Sequence, residues 1–173
     1  MNKNQLKTLL RYAMIASIYV VLTFVSYPLS YGAVQFRIAE ALVLICFYRK
    51  DYAIPLIIGC LLANIPSPMG IVDVFFGTIA TALSVLCIAK SKNLLVASIF
   101  PAIFNGILVG LEIALLETGS SFPMTWLISA SWVFLGEFVV VTIFGVVLWK
   151  LLSKKQSFME LIAANQNIDK KGD

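Results

Sequence analysis

The stretch Gln35-Phe36-Arg37-Ile38-Ala39-Glu40-Ala41-Leu42 puts an amide, a guanidinium and a carboxylate into one apolar run. Other polar groups stand isolated in apolar surroundings at Asn64, Asp73, Asn105, Glu112 and Glu137. Such groups are costly in hydrocarbon, so each marks a buried partner or a binding group. Glu40, Asp73, Glu112 and Glu137 oppose the single Arg37, a net negative balance when all are ionised. Carboxylates accept hydrogen bonds, while Asn and Gln both donate and accept. The set suits a cationic or donor-rich ligand, such as the edge of a polar heterocycle. Tyr27, Tyr31, Phe36 and Trp132 can supply stacking faces.

Each polar residue also has a purely structural explanation. Arg37 and Glu40 are spaced i,i+3 and can pair on a helix. Asp73 falls in a first helical turn, where it complements the helix dipole. Glu112 lies close enough to the outer boundary to reach interfacial water. Glu137 is too deep for that, and a ligand or a buried partner is the better account. Trp126 and Trp149 read as interfacial belt residues. Cys46, Cys60 and Cys87 read as small buried hydrophobes, with no CxxC spacing. No histidine occurs, so a His-based metal site is excluded and no metal site is expected. GxxxxGK[ST], HExxH and GxSxG are all absent, and no nucleophile stands with a base, so no catalytic residues are assigned.

These groups must be positioned by membrane helices. Hydrophobic residues make up 60% of the 173 and charged residues 13%, against about 25% charged in a soluble domain. The mean hydropathy is +0.93. An all-α, polytopic membrane protein follows. Six apolar segments can be drawn, at 12–28, 36–48, 52–65, 70–89, 94–116 and 124–152. The second and third are short for a span of about 20 residues. Lys and Arg precede the first segment, separate the second from the third and the fourth from the fifth, and follow the sixth. The other three connections hold none. This alternation predicts a six-transmembrane-helix bundle with both termini cytoplasmic. The positive charge of the chain sets this topology and does not point to nucleic acid. The expected division is a cytoplasmic segment at 1–11, a membrane domain at 12–152 and a cytoplasmic tail at 153–173, with 165–173 disordered. The intramembrane charges then all fall in the outer half, which describes a cup open to the outside. Proline stands at the outer connections (Pro28, Pro66, Pro68, Pro123), and Pro101 should kink the fifth segment. Gly106 and Gly110 should pack inside the bundle, while Ala13 and Ser17 carry a small-xxx-small spacing available to a partner helix.

The chain resembles the substrate-binding S components of energy-coupling factor (ECF) transporters, most closely the queuosine-precursor transporter family, QueT. The likeness extends over about residues 6–152. It rests on the Gln35–Leu42 stretch, on Gly59-Cys60-Leu61-Leu62-Ala63-Asn64-Ile65-Pro66-Ser67-Pro68, on Asp73-Val74-Phe75-Phe76-Gly77-Thr78-Ile79-Ala80-Thr81, and on Asn105-Gly106 and Gly136-Glu137. The resemblance implies a six-helix bundle with an outward-facing site. It also implies a membrane coupling protein (EcfT) and two cytoplasmic ATPases, which use ATP, so this chain binds no cofactor and is not an enzyme. The family's AxxxA contact motif corresponds here to Ala13 and Ser17. The implied substrate is a 7-deazaguanine such as preQ1, taken up across the plasma membrane of a prokaryote. On that reading Glu40, Asp73 and Glu137 act as acceptors, and Gln35, Arg37, Asn64 and Asn105 as amide or cationic contacts. Three alternatives stay open at this level: an S component for another vitamin-like or amino-acid-like substrate, an intramembrane enzyme using the outer carboxylates, and a self-sufficient carrier or channel.

Overall fold

The computed structural model describes residues 2–31, 34–117 and 121–163. All regular structure among them is helical. The chain forms α1 (Lys3–Val25), α2 (Tyr27–Ser30), α3 (Ile38–Tyr48), α4 (Ala53–Asn64), α5 (Ile71–Lys90), α6 (Leu94–Leu116), α7 (Phe122–Ser153) and α8 (Gln156–Ala163). Long apolar runs fold as helices because a helix satisfies its interior backbone N–H groups within itself, as an apolar surrounding requires. Punctuation fixes the ends. Pro123 sits in the first turn of α7, Gly70 enters α5 with φ +65°, and the Asn93 side chain accepts from the Leu95 N–H at 2.8 Å to cap α6. Helix α1 starts at Lys3, so much of the basic stretch expected to precede the first span is itself helical.

Among the described residues four helices, α1, α5, α6 and α7, are long and apolar enough to cross a membrane. Helix α4 has 12 residues, about 18 Å at 1.5 Å each, and α3 is also short. Along the chain α1 packs on α4, α4 on α5, α5 on α6 and α6 on α7. Helix α3 touches α1, α4, α5, α6 and α7, and is the element around which the others stand. Its first seven residues, Ile38–Leu44, form a 3₁₀ helix, longer than such helices usually run. It packs on an eight-residue π-helical stretch of α7, Phe138–Gly145.

Small residues set the helix distances. A Cβ on Gly110 would lie 2.6 Å from the Ala130 Cα, and one on Gly106 would lie 3.1 Å from the Phe134 Cβ. Both glycines therefore serve α6–α7 packing, as expected. Gly59 is equally close to Ala16 and Tyr19 of α1. Pro101 lies within a continuous α6. Thr142 Oγ1 donates to the Ser98 carbonyl at 3.0 Å in the turn before it, the kind of side-chain bond that eases a membrane proline.

Trp149 overturns its expected place in an interfacial belt. It is 2% exposed, stacks on Tyr48 at 5.7 Å and donates its indole N–H to the Ala41 carbonyl at 2.7 Å. The short helices α3 and α8 cover it, and its spacing in the sequence gave no sign of either contact. Trp126 is 38% exposed, with its N–H on the Ile107 carbonyl at 3.2 Å.

The end of the bundle that carries the α3–α4 connection is tied by Arg49. Its Nε and Nη2 donate to Asp51 at 2.8 and 2.6 Å, and its Nη1 donates to the Ile162 carbonyl of α8 at 2.7 Å. Phe158 of α8 packs on Trp149 at 6.0 Å. The polar run 165–173 lies outside the described residues. Burial pushes the Asp51 carboxyl up, but the Arg49 hydrogen bonds and charge outweigh it and hold the carboxyl below its ordinary 3.8. A depressed carboxyl stabilises the fold above its unfolded value and loses that contribution as pH falls through its folded value. Asp51→Asn should therefore destabilise the fold at pH 7 and lower its melting temperature, the loss being less than about 1 kcal/mol because water screens the pair. The gap to the unaltered chain should be smaller at pH 3, below the carboxyl's ordinary value, than at pH 7. Thermal unfolding at the two pH values checks this.

Candidate functional site

The irregular start of α3 brings the site together. Gln35 adopts φ +43°, a left-handed conformation uncommon for a side chain other than Gly. The Arg37 N–H closes a tight turn on the Gln35 carbonyl at 3.0 Å. This turn presses on α7, where a Cβ at Gly136 would collide with the Val34 and Gln35 carbonyls. Only Gly at 136 lets the backbone come so close. Strain of this kind persists where surrounding structure enforces it, and it gathers at functional sites.

Every residue assigned to substrate binding is buried: Gln35, Arg37, Glu40, Asn64, Asp73, Asn105 and Glu137 are at most 2% exposed. They come from six places, namely the turn before α3, α3 itself, and α4, α5, α6 and α7. Arg37 Nη2 stands 3.7 Å from Asp73 Oδ1, and its guanidinium lies 5.5 Å from the Tyr31 ring centroid. Arg37 thus pairs with α5 across the bundle instead of with Glu40 on its own helix. Glu40 Oε1 accepts from the Tyr19 hydroxyl and from Thr81 Oγ1, the latter at 3.1 Å. Asn64 Nδ2 donates to the Asp73 carbonyl at 3.1 Å. Gly77 leaves the room this needs, since a Cβ there would strike Asn64 Nδ2 and Asp73 Oδ1. The Tyr31 hydroxyl donates to the Ala63 carbonyl. Glu137 feels the charges of Glu40 and Arg37, and Glu112 those of Asp73 and Arg37, so the carboxylates form one electrostatic cluster.

Much of this polar surface has no hydrogen-bond partner among the described residues. The buried atoms concerned include Gln35 Nε2, Arg37 Nε and Nη2, Glu40 Oε2, Asn105 Nδ2, both Glu112 oxygens and Glu137 Oε2. Native proteins satisfy most buried polar groups, so a concentration of orphans calls for a binding explanation. The arrangement offers donors and acceptors at short range.

Three groups in the cluster were not assigned from sequence. Tyr19 is fully buried against Glu40, yet it is one tyrosine in an apolar helix and carries no marking pattern. Thr81 is likewise hidden by its type. Glu112 is 0% exposed, so interfacial water does not account for it. Its isolation within an apolar run was the available signal. Cys60 packs at the edge of the cluster, 3.2 Å from Thr81 Oγ1. Of the expected stacking faces, Tyr31 lies at the site. Trp132 is 49% exposed, and Phe36 lines an outer apolar groove with Ile143 and Phe144.

Residues 9–154 match the family model described as QueT transporter. The curated protein "Queuosine precursor transporter QueT" of Lactococcus lactis subsp. cremoris (strain MG1363) is 36% identical over 83 residues. That stretch is 47% of this chain and 48% of the relative, so the match spans about half of each. No solved structure matches the chain.

Breaking a buried ion pair from one side costs about 3–5 kcal/mol. Arg37→Met should destabilise the chain on that scale. Adding Asp73→Asn should recover at least about 1 kcal/mol, the coupling expected of contacting charges. Unfolding of the two single variants and the double variant in mixed micelles measures the cycle.

Proposed function

Because the chain belongs to the QueT transporter family, we propose that it is the substrate-binding subunit of an ECF-type importer and captures a queuosine precursor. The substrate class is a 7-deazaguanine such as preQ1. The buried cluster of orphaned donors and acceptors around Arg37 supports this reading most strongly. A guanine-like edge presents N–H donors to carboxylates and a carbonyl to an amide or guanidinium. An aminomethyl group adds a cation, which a cluster of four carboxylates and one Arg favours. The family name indicates transport, and nothing in the cluster resembles a catalytic apparatus.

On this reading the chain is a multi-pass protein of a prokaryotic plasma membrane. The short α3 and α4 complete a count of six spans, with the site toward the outside and both termini in the cytoplasm. Lys and Arg at one set of connections support that orientation. Uptake is driven by EcfT and two ATPases, which use ATP. Ala13 and Ser17 both face outward on α1, away from the Ala16–Gly59 contact with α4. They are available to the coupling protein, because small side chains allow close helix approach.

A ligand bound only by the folded state raises its stability by about 2.7 kcal/mol at a hundredfold excess over Kd. Adding preQ1 to the detergent-purified chain should raise the melting temperature accordingly, and guanine should do less. A melting temperature unmoved by either compound, with no heat on calorimetric titration, would contradict the proposal.

A further inference from the structure

The four buried carboxylates are not equivalent. Glu40 is held by Tyr19 and Thr81. Asp73 has the Arg37 guanidinium 3.7 Å away as an ion-pair partner, although neither of its oxygens accepts a hydrogen bond among the described residues. Glu137 leaves one oxygen, Oε2, without a partner. Glu112 leaves both oxygens without one, although it is 0% exposed. The charges that act on it are those of Asp73 and Arg37, which are already committed to each other at 3.7 Å. A buried carboxylate in that position needs a cation or a donor from outside the chain.

The neighbouring orphans have the opposite chemistry. Asn105 Nδ2 is buried and unpartnered, and it lies two turns before Glu112 on the buried face of α6 that also holds Val109. Seven residues separate the two along the helix, about 10 Å. That is comparable with a fused two-ring heterocycle carrying a one-carbon amine arm. Gln35 Nε2 is also unpartnered, on a side chain fixed by the left-handed turn. The site thus has, on α6, a carboxylate without a hydrogen-bond partner and an amide donor two turns before it, with a second amide donor in the turn before α3.

We propose that Glu112 is the counter-ion for an ammonium arm on the substrate, while Asn105 and Gln35 hydrogen-bond the heterocycle that carries it. The assignment rests on the chain being a binding subunit for such heterocycles. It divides the labour within the site. Asp73 pairs with Arg37 and Glu40 ties α3 to Tyr19 and Thr81, which holds the helices in place, and Glu112 selects the charge of the ligand.

The test compares two ligands with one ring system, 7-aminomethyl-7-deazaguanine, which carries an ammonium, and the neutral 7-cyano-7-deazaguanine. Calorimetric titration of the purified full-length chain gives the amine-to-nitrile affinity ratio. The unaltered chain should favour the amine. Glu112→Gln should lower the ratio by about tenfold or more, as loss of a charge-assisted hydrogen bond does, while nitrile binding persists and shows that the fold is intact. Glu112→Asp should keep the preference, and Glu137→Gln should weaken both ligands in equal proportion. The inference is overturned if Glu112→Gln retains the amine preference, if it loses both ligands equally, or if Glu137→Gln is the variant that abolishes the ratio. Absence of binding of either compound to the unaltered chain would instead overturn the binding-subunit reading, and the inference with it.

Discussion

A guanidinium at 1% exposure in an apolar bundle has to be surrounded by acceptors, because an unpaired ion in a low-dielectric interior is strongly disfavoured. Much of the site's architecture answers that requirement for Arg37. Asp73 must come to it from α5, and the Tyr31 ring must lie beside it. Gln35 must take a left-handed backbone to start the turn. Gly136 and Gly77 must lack side chains so that the turn and the Asn64–Asp73 contact can close. These conditions couple the turn before α3 to α4, α5 and α7. A disturbance at any of them is felt at the others.

The irregular helices belong to the same constraint. A regular helix through Ile38–Leu44 would set the α3 side chains on different bearings, and the tighter 3₁₀ winding carries Glu40 to Tyr19 and Thr81. On the facing helix the π stretch begins directly after Glu137, and Gly145 lets Leu44 and Ala41 approach it closely. Departures of this kind are frequent at functional sites, where local regularity yields to the placement of particular groups. Three glycines and two unusual windings thus do the positioning that the apolar residues of the core cannot.

The helical architecture was legible because the chain's apolar runs are long and its prolines and lysines stand between them. Segment limits at 70–89 and 94–116 fall within a residue of α5 and α6, since Gly70 and Asn93 punctuate them. The assigned polar residues were legible too, because an isolated Glu or Asn in hydrocarbon has few innocuous explanations. What escaped the sequence is pairing and direction. An i,i+3 spacing made Glu40 a natural partner for Arg37, yet the 3₁₀ winding sends it to Tyr19 on α1. Proximity to the outer boundary offered Glu112 a solvent contact, yet its α6 face is turned inward. Trp149 sat where belts usually lie, but two short helices whose packing has no periodic signature bury it.

If the orphaned groups around Arg37 seat the substrate, a structure of the chain solved with 7-aminomethyl-7-deazaguanine should show the heterocycle within hydrogen-bonding distance of Gln35 and Asn105, with its amine on Glu112 and the Arg37–Asp73 pair retained. A ligand seated instead in an apolar groove such as that along Phe36 and Phe144, with the polar cluster contacting only water, would contradict it.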